Sequence, residues 1–185
     1  MKKRLLCLIF SLGLAAALTA CGGNGGSSAP KQPDSPAQPG QSASSGDPQQ
    51  KNYAFPASIG GQALEIEMDM DMAQVLSALG EPQSYFEAAS CAFDGLDKTY
   101  TYAGFTVITR PDGDKDYVNS VLLTDDSATT AEGIYIGSSL ADVTSAYGQA
   151  DILDGVVSYT RGNCTITFIF EENSVISIEY LPASA

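Results

Sequence analysis

"DMAQVLSALGEPQ", residues 71–83, and "SLADVTSAYGQAD", residues 139–151, carry the same physical devices in the same order. Asp71 and Ser139 are suited to the N-cap position, where a side-chain oxygen accepts a hydrogen bond from an otherwise unpaired backbone N–H. Three residues on, Gln74 and Asp142 complete or approximate a capping box. Met72, Val75, Leu76 and Leu79 recur at helical spacing, as do Leu140, Val143 and Tyr147. Gly80 and Gly148 then supply the left-handed residue that ends a helix, and Pro82 bars the first helix from continuing. The spacing predicts two short helices of about eight residues, each packed by one face.

After each helix the apolar period changes to two, the signature of half-buried strands. "SYFEA", "KTYTYA", "FTVITR" and "YVNSVLLT" follow the first helix, and "VVSYT", "CTITFIF" and "SVISIEYL" follow the second. Phe105-Thr106-Val107 matches Cys164-Thr165-Ile166, and Val118-Asn119-Ser120-Val121 matches Val175-Ile176-Ser177-Ile178. "QALEIEM" and "GIYIG" add an edge strand or a lead-in to each half. The expected fold is α+β: two tandem copies of a short helix plus an antiparallel β-meander, residues 53–127 and 128–185. The link "TDDSATTAEG", 124–133, is short, so the copies are expected to form one cooperative domain with one sheet face on the helices.

These segments resemble the repeats of the beta-lactamase inhibitor protein-like fold and of the SmpA/OmlA small outer-membrane-assembly lipoproteins. There, a Gly-x-Ser/Thr-x-x-x-Val…Gly-x-Pro pattern starts a helix that packs on a three- or four-stranded sheet. Gly137, Ser138, Val143 and Gly148 match in the second copy, with Ala150 in place of proline. Val75, Gly80 and Pro82 match in the first, where Asp69 to Asp71 replace the Gly-Ser lead. The resemblance covers about a third of the domain and is closest to lipid-anchored proteins of Gram-positive bacteria with tandem copies of this unit. It implies an envelope-assembly or protease-inhibitor-like role as an alternative function.

The N-terminus gives an address. Lys2, Lys3 and Arg4 precede "LLCLIFSLGLAAAL", an apolar run shorter than the roughly twenty residues of a comfortable membrane span. Its proportions are those of a secretory signal, residues 1–20. Leu18-Thr19-Ala20-Cys21 resembles the bacterial lipobox, which implies lipidation of Cys21 and attachment at the extracytoplasmic face of the cell membrane. Stable anchoring takes two or more acyl chains at about 0.8 kcal/mol per buried methylene. Residues 21–52 are rich in Gly, Ser and Pro, lack large apolar side chains, and read as a tether. Loss of the signal leaves six Lys/Arg against 22 Asp/Glu, a net charge of −16. Such a surface repels nucleic acid and anionic headgroups.

Little in the chain points to catalysis. There is no histidine, and hence no imidazole to act as general base or metal ligand. Neither Gly-x-Ser-x-Gly nor a phosphate-binding loop occurs. No cofactor is expected, and a hydrolase using paired carboxylates is the third functional reading. Asp112, Asp114 and Asp116 in "RPDGDKDYV" alternate like the first ligands of a calcium loop. Tyr117 and Leu123, however, stand where an EF-hand needs glycine and glutamate, and Pro-Asp-Gly between alternating runs is hairpin chemistry. Cys91 and Cys164 either form a disulfide or pack as small hydrophobes. Tyr100, Tyr102 and Tyr159 either contact a partner from the sheet face or pack under the helices.

The leading expectation is a non-catalytic binding or scaffolding module that engages an envelope or secreted protein. Cys21→Ser is expected to release the protein from the membrane fraction or to leave its signal uncleaved. Wild-type fractionation and processing of that variant would exclude the anchor.

Overall fold

The computed structural model describes residues 51–184. The expectations for residues 1–50, lipidation of Cys21 included, lie outside the described residues. No helix among the described residues is long and apolar enough to cross a membrane.

The two helices form where their caps place them, α1 at Met72–Leu79 and α2 at Leu140–Tyr147. The Asp71 side chain accepts from the Ala73 N–H at 3.0 Å. At α2 the capping box is reciprocal: the Asp142 N–H donates to Ser139 at 3.2 Å, and the Ser139 N–H donates to the Asp142 carboxylate at 2.9 Å. The Ser139 hydroxyl also donates to that carboxylate, and these bonds hold the Asp142 carboxyl below the usual range. Met72, Val75 and Leu79 of α1 are buried, whereas α2 buries only Val143 fully.

The helix ends differ in one respect from the expected left-handed cap. Gly80 has φ 79° and ψ −166°, and Gly148 has φ 96° and ψ 175°. Positive φ with extended ψ is a region that essentially only glycine occupies. Both glycines still donate back to their helices, Gly80 to Leu76 O at 2.9 Å and Gly148 to Thr144 O at 3.0 Å.

Seven strands form one antiparallel sheet. They are β3 (Ser84–Ala89), β4 (Leu96–Thr101), β5 (Phe105–Asp112), β6 (Lys115–Leu123), β7 (Val156–Arg161), β8 (Cys164–Glu171) and β9 (Ser174–Pro182). The spatial order is β3-β4-β5-β6-β9-β8-β7. Successive strands pair within β3–β6 and within β7–β9. The two runs meet only through β6 and β9, by the pairs Val121↔Tyr180 and Leu122↔Glu179. The hairpin expected at "PDGDKD" is present, with Asp112 opposite Lys115.

A separate hairpin, β1 (Phe55–Ile59) and β2 (Gln62–Ile66), turns at Gly60-Gly61. Both glycines have positive φ, as a two-residue type I′ turn requires. "QALEIEM" therefore supplies a strand, but one paired with β1 outside the main sheet. "GIYIG" is not a strand. It is a turn-rich lead-in, closed by Thr130 N–H to Ile134 O at 2.8 Å and Gly137 N–H to Val175 O at 2.8 Å.

The helices and the β1–β2 hairpin cover one face of the sheet. Phe55 of β1 lies against Phe105 of β5 at 4.8 Å and Tyr180 of β9 at 5.7 Å between ring centroids. Val75, Val143, Val107, Ile166 and Tyr180 belong to one continuous core. At both helix ends a tyrosine hydroxyl reaches up from the sheet, Tyr102 to Gly80 O at 3.1 Å and Tyr159 to Gly148 O at 2.7 Å. The fold is thus two layers of α+β structure with a single core.

Nothing crowds the place where a Cβ would sit on Gly148, so a side chain there meets only backbone strain. Gly148→Ala is expected to destabilise by about 1–3 kcal/mol. An unchanged melting temperature would show that this helix end tolerates an ordinary backbone.

Candidate binding face

Register decides what the uncovered side of the sheet displays. Strand residues alternate between faces, and the inner set runs through Tyr100, Val107, Val121, Tyr180, Ile166 and Tyr159. The neighbours of these residues therefore face outward. They are mostly hydroxyl-bearing: Thr165, Thr167, Ser158 and Thr160 reach the surface, while Thr106 and Ser120 are buried among their outward neighbours. Several pair across strands. Ser158 and Thr167 lie 3.0 Å apart, Thr160 and Thr165 2.8 Å. At the β6–β9 seam the Ser120 hydroxyl donates to the Glu179 carboxylate at 2.7 Å.

Ile108, Leu122 and Ile169 interleave with these hydroxyls, and Phe86 of β3 stands 65% exposed. Among the outward positions Glu179 is the ionisable side chain at the β6–β9 seam, while Arg110 on β5 and Glu171 at the end of β8 lie beyond the hydroxyl rows. A hydroxyl-rich patch on β7 and β8 thus sits on a strongly acidic protein. Each hydroxyl can donate once and accept twice, so the exposed Ser158–Thr167 and Thr160–Thr165 pairs keep unused capacity.

The tyrosines singled out from the sequence are elsewhere. Tyr100 is 7% and Tyr102 2% exposed, and both lie on the inner face. Tyr102 stacks on Phe105 and anchors the end of α1. Tyr159 is half-buried, stacks on Tyr147 and anchors the end of α2. Burial raises the pKa of all three phenols. Their role as partner contacts is corrected to packing, because the helices cover the face from which they project.

The three aspartates of the β5–β6 hairpin do not converge. Asp116 pairs with Lys98 at 2.7 Å, Asp112 lies 3.9 Å from Arg110, and Asp114 is exposed in the turn. No three His, Cys, Asp or Glu side chains gather at metal-binding distances among the described residues. The calcium reading is replaced by an ion-paired hairpin.

A depression of about 380 Å³ beside α1 gathers Glu67, Asp69 and Asp71. Arg110 binds Asp69 at 2.9 Å, and Lys115 binds Asp71 at 2.7 Å. Two of these three carboxylates are therefore held by bases, and Asp71 also caps the helix. Near α2, Glu132 accepts from Tyr147 at 2.6 Å and from Arg161 at 3.3 Å, and the Arg161 guanidinium lies 3.8 Å over the Tyr53 ring. This internal network was not anticipated. Its members are far apart in sequence, and only the fold brings them together.

Cys91 and Cys164 are free thiols, one exposed and one buried, so the disulfide alternative gives way to separate cysteines. Burial pushes the Cys164 thiol up to about 12. No protein-family model, no curated protein and no solved structure matches the chain.

Native protein is expected to react with a maleimide at Cys91 and to label Cys164 only after unfolding. A thiol assay in denaturant, without reductant, should then count both. Loss of both thiols from that count would restore the disulfide.

Proposed function

We propose that the protein is a non-catalytic binding module, held at the extracytoplasmic face of the cell membrane by lipid on Cys21. In this reading the uncovered sheet face engages an envelope or secreted protein. The observation that carries it is the one-sided packing of the sheet. All the covering elements lie on one face, and the other presents a hydroxyl-rich patch low in charge, where a partner pays little electrostatic desolvation. The lipobox resemblance and the Gly/Ser/Pro tether support the location.

We further read the domain as two copies of one unit. α1 with β3–β6 is one, and α2 with β7–β9 is the other. The Tyr102–Gly80 and Tyr159–Gly148 bonds, each from a meander strand region to a helix-terminal carbonyl, support the duplication. So does the sheet order, in which the last strands of the two runs, β6 and β9, are the ones that meet.

A photo-crosslinking residue at Thr167 on the open face is expected to give a discrete adduct in intact cells. The same residue at the exposed Ser145 on α2 should give none. Adducts from Ser145 alone, or from neither position, would overturn the assignment of the face.

A further inference from the structure

We infer that the open edge of β3 is a second, separate docking site, for an extended basic peptide segment of another protein. Among the described residues β3 pairs only with β4 and ends the seven-stranded sheet. All six of its residues are exposed. Every second residue of an edge strand turns its N–H and C=O outward, so half of β3 offers an unpaired ladder. Edges are ordinarily protected by proline, lysine, a bulge or a covering element. Within Ser84–Ala89 none of the first three occurs.

The side chains define the occupant. Phe86 is 65% and Tyr85 50% exposed, on opposite faces of the strand. Tyr85 is fixed by its ring contact with Tyr100 at 5.1 Å and by its hydroxyl bond to Glu87. Exposed Glu81, Glu87 and Asp94 surround them, and the nearby Lys98 is engaged by Asp116. An added strand would thus meet Phe86 between Ser84 and Ala88 on one face, and Tyr85 beside the negative Glu87 on the other. Apolar residues alternating with lysine or arginine fit both features.

A second copy of the chain fits poorly. Each of the five Lys/Arg among the described residues already binds a carboxylate, so two β3 edges would meet acid to acid. The chain's own segment 22–50 contains prolines that interrupt a ladder.

The probe is the peptide (Lys-Val)4, with two controls: (Glu-Val)4, and (Lys-Val)4 methylated at every backbone nitrogen. The readout is amide exchange of the folded protein by NMR. (Lys-Val)4 is expected to protect amides within Tyr85–Ala89, while neither control does so. Phe86→Ser should weaken binding about tenfold, and Glu87→Lys should shift preference toward (Glu-Val)4. Near-UV circular dichroism checks that both variants keep the fold. Protection confined to other segments, equal binding of the methylated peptide, or self-association of the protein through β3 would each overturn the site. The site deepens the proposed binding role, yet it is read independently. Failure at Thr167 with β3 protected removes only the open face, and the converse removes only the edge.

Discussion

The structure depends on one aromatic side chain at a weak point. Across the β6–β9 seam only two residue pairs join the halves of the sheet, far fewer than in the eight-pair β5–β6 and β8–β9 ladders. Phe55 lies over this seam, touching Phe105 on one side and Tyr180 on the other. On the opposite face the Ser120–Glu179 bond crosses the same line. The hydrophobic contact and the hydrogen bond contribute on a similar scale, since a fully buried phenylalanine is worth about 1.5–3 kcal/mol by area alone. The hydrogen bond adds about 1.5–3 kcal/mol at most, as one made to a charged group. The covering hairpin therefore helps make two meanders into one core.

Charge is distributed on the same economy. Lys51, Lys98, Arg110, Lys115 and Arg161 face twenty Asp/Glu between residues 51 and 184, and each base is used locally. Lys115 and Arg110 tie the β5–β6 hairpin to the segment entering α1 through Asp71 and Asp69. Lys98 joins β4 to β6 through Asp116. Arg161 reaches Glu132 in the segment that leads to α2. Every one of these pairs spans separate elements, so the few cations act as fasteners and the remaining acids dominate the surface. The hydroxyl-rich part of the open sheet face carries few of these charges.

Much of this was legible in the sequence, and the limits have physical causes. Caps and terminal glycines are local chemistry, so both helices were readable within a residue. Period-two runs and the Pro-Asp-Gly turn gave the strands β3 to β9. Strand β1 escaped notice because Pro56 and Ala57 dilute its alternation, although Gly60-Gly61 before "QALEI" was a usable hairpin signal. Tyr100 and Tyr102 were correctly placed on a common face. Alternation, however, cannot say which face lies under the helices, and that choice decided between contact and packing. The outward threonines and the exposed edge of β3 were invisible for a related reason. They exist only once non-local pairing puts β6 beside β9 and leaves β3 at the end.

The first described residues are fixed against the β7–β8 end of the sheet. Lys51 pairs with Glu65, the Asn163 N–H donates to the Asn52 side chain at 3.3 Å, and Tyr53 is buried beneath Arg161. Gly162, at the turn between β7 and β8, has φ +64°, and a Cβ there would collide with the Asn52 side chain. The turn is thus shaped to receive the segment that leads into β1. The described chain thus begins at residue 51 on the β7–β8 side of the sheet, next to the buried Tyr53. β3 lies six strand spacings away, roughly 29 Å at about 4.8 Å each. Residue 51 therefore lies at one edge of the sheet and the exposed ladder of β3 at the other.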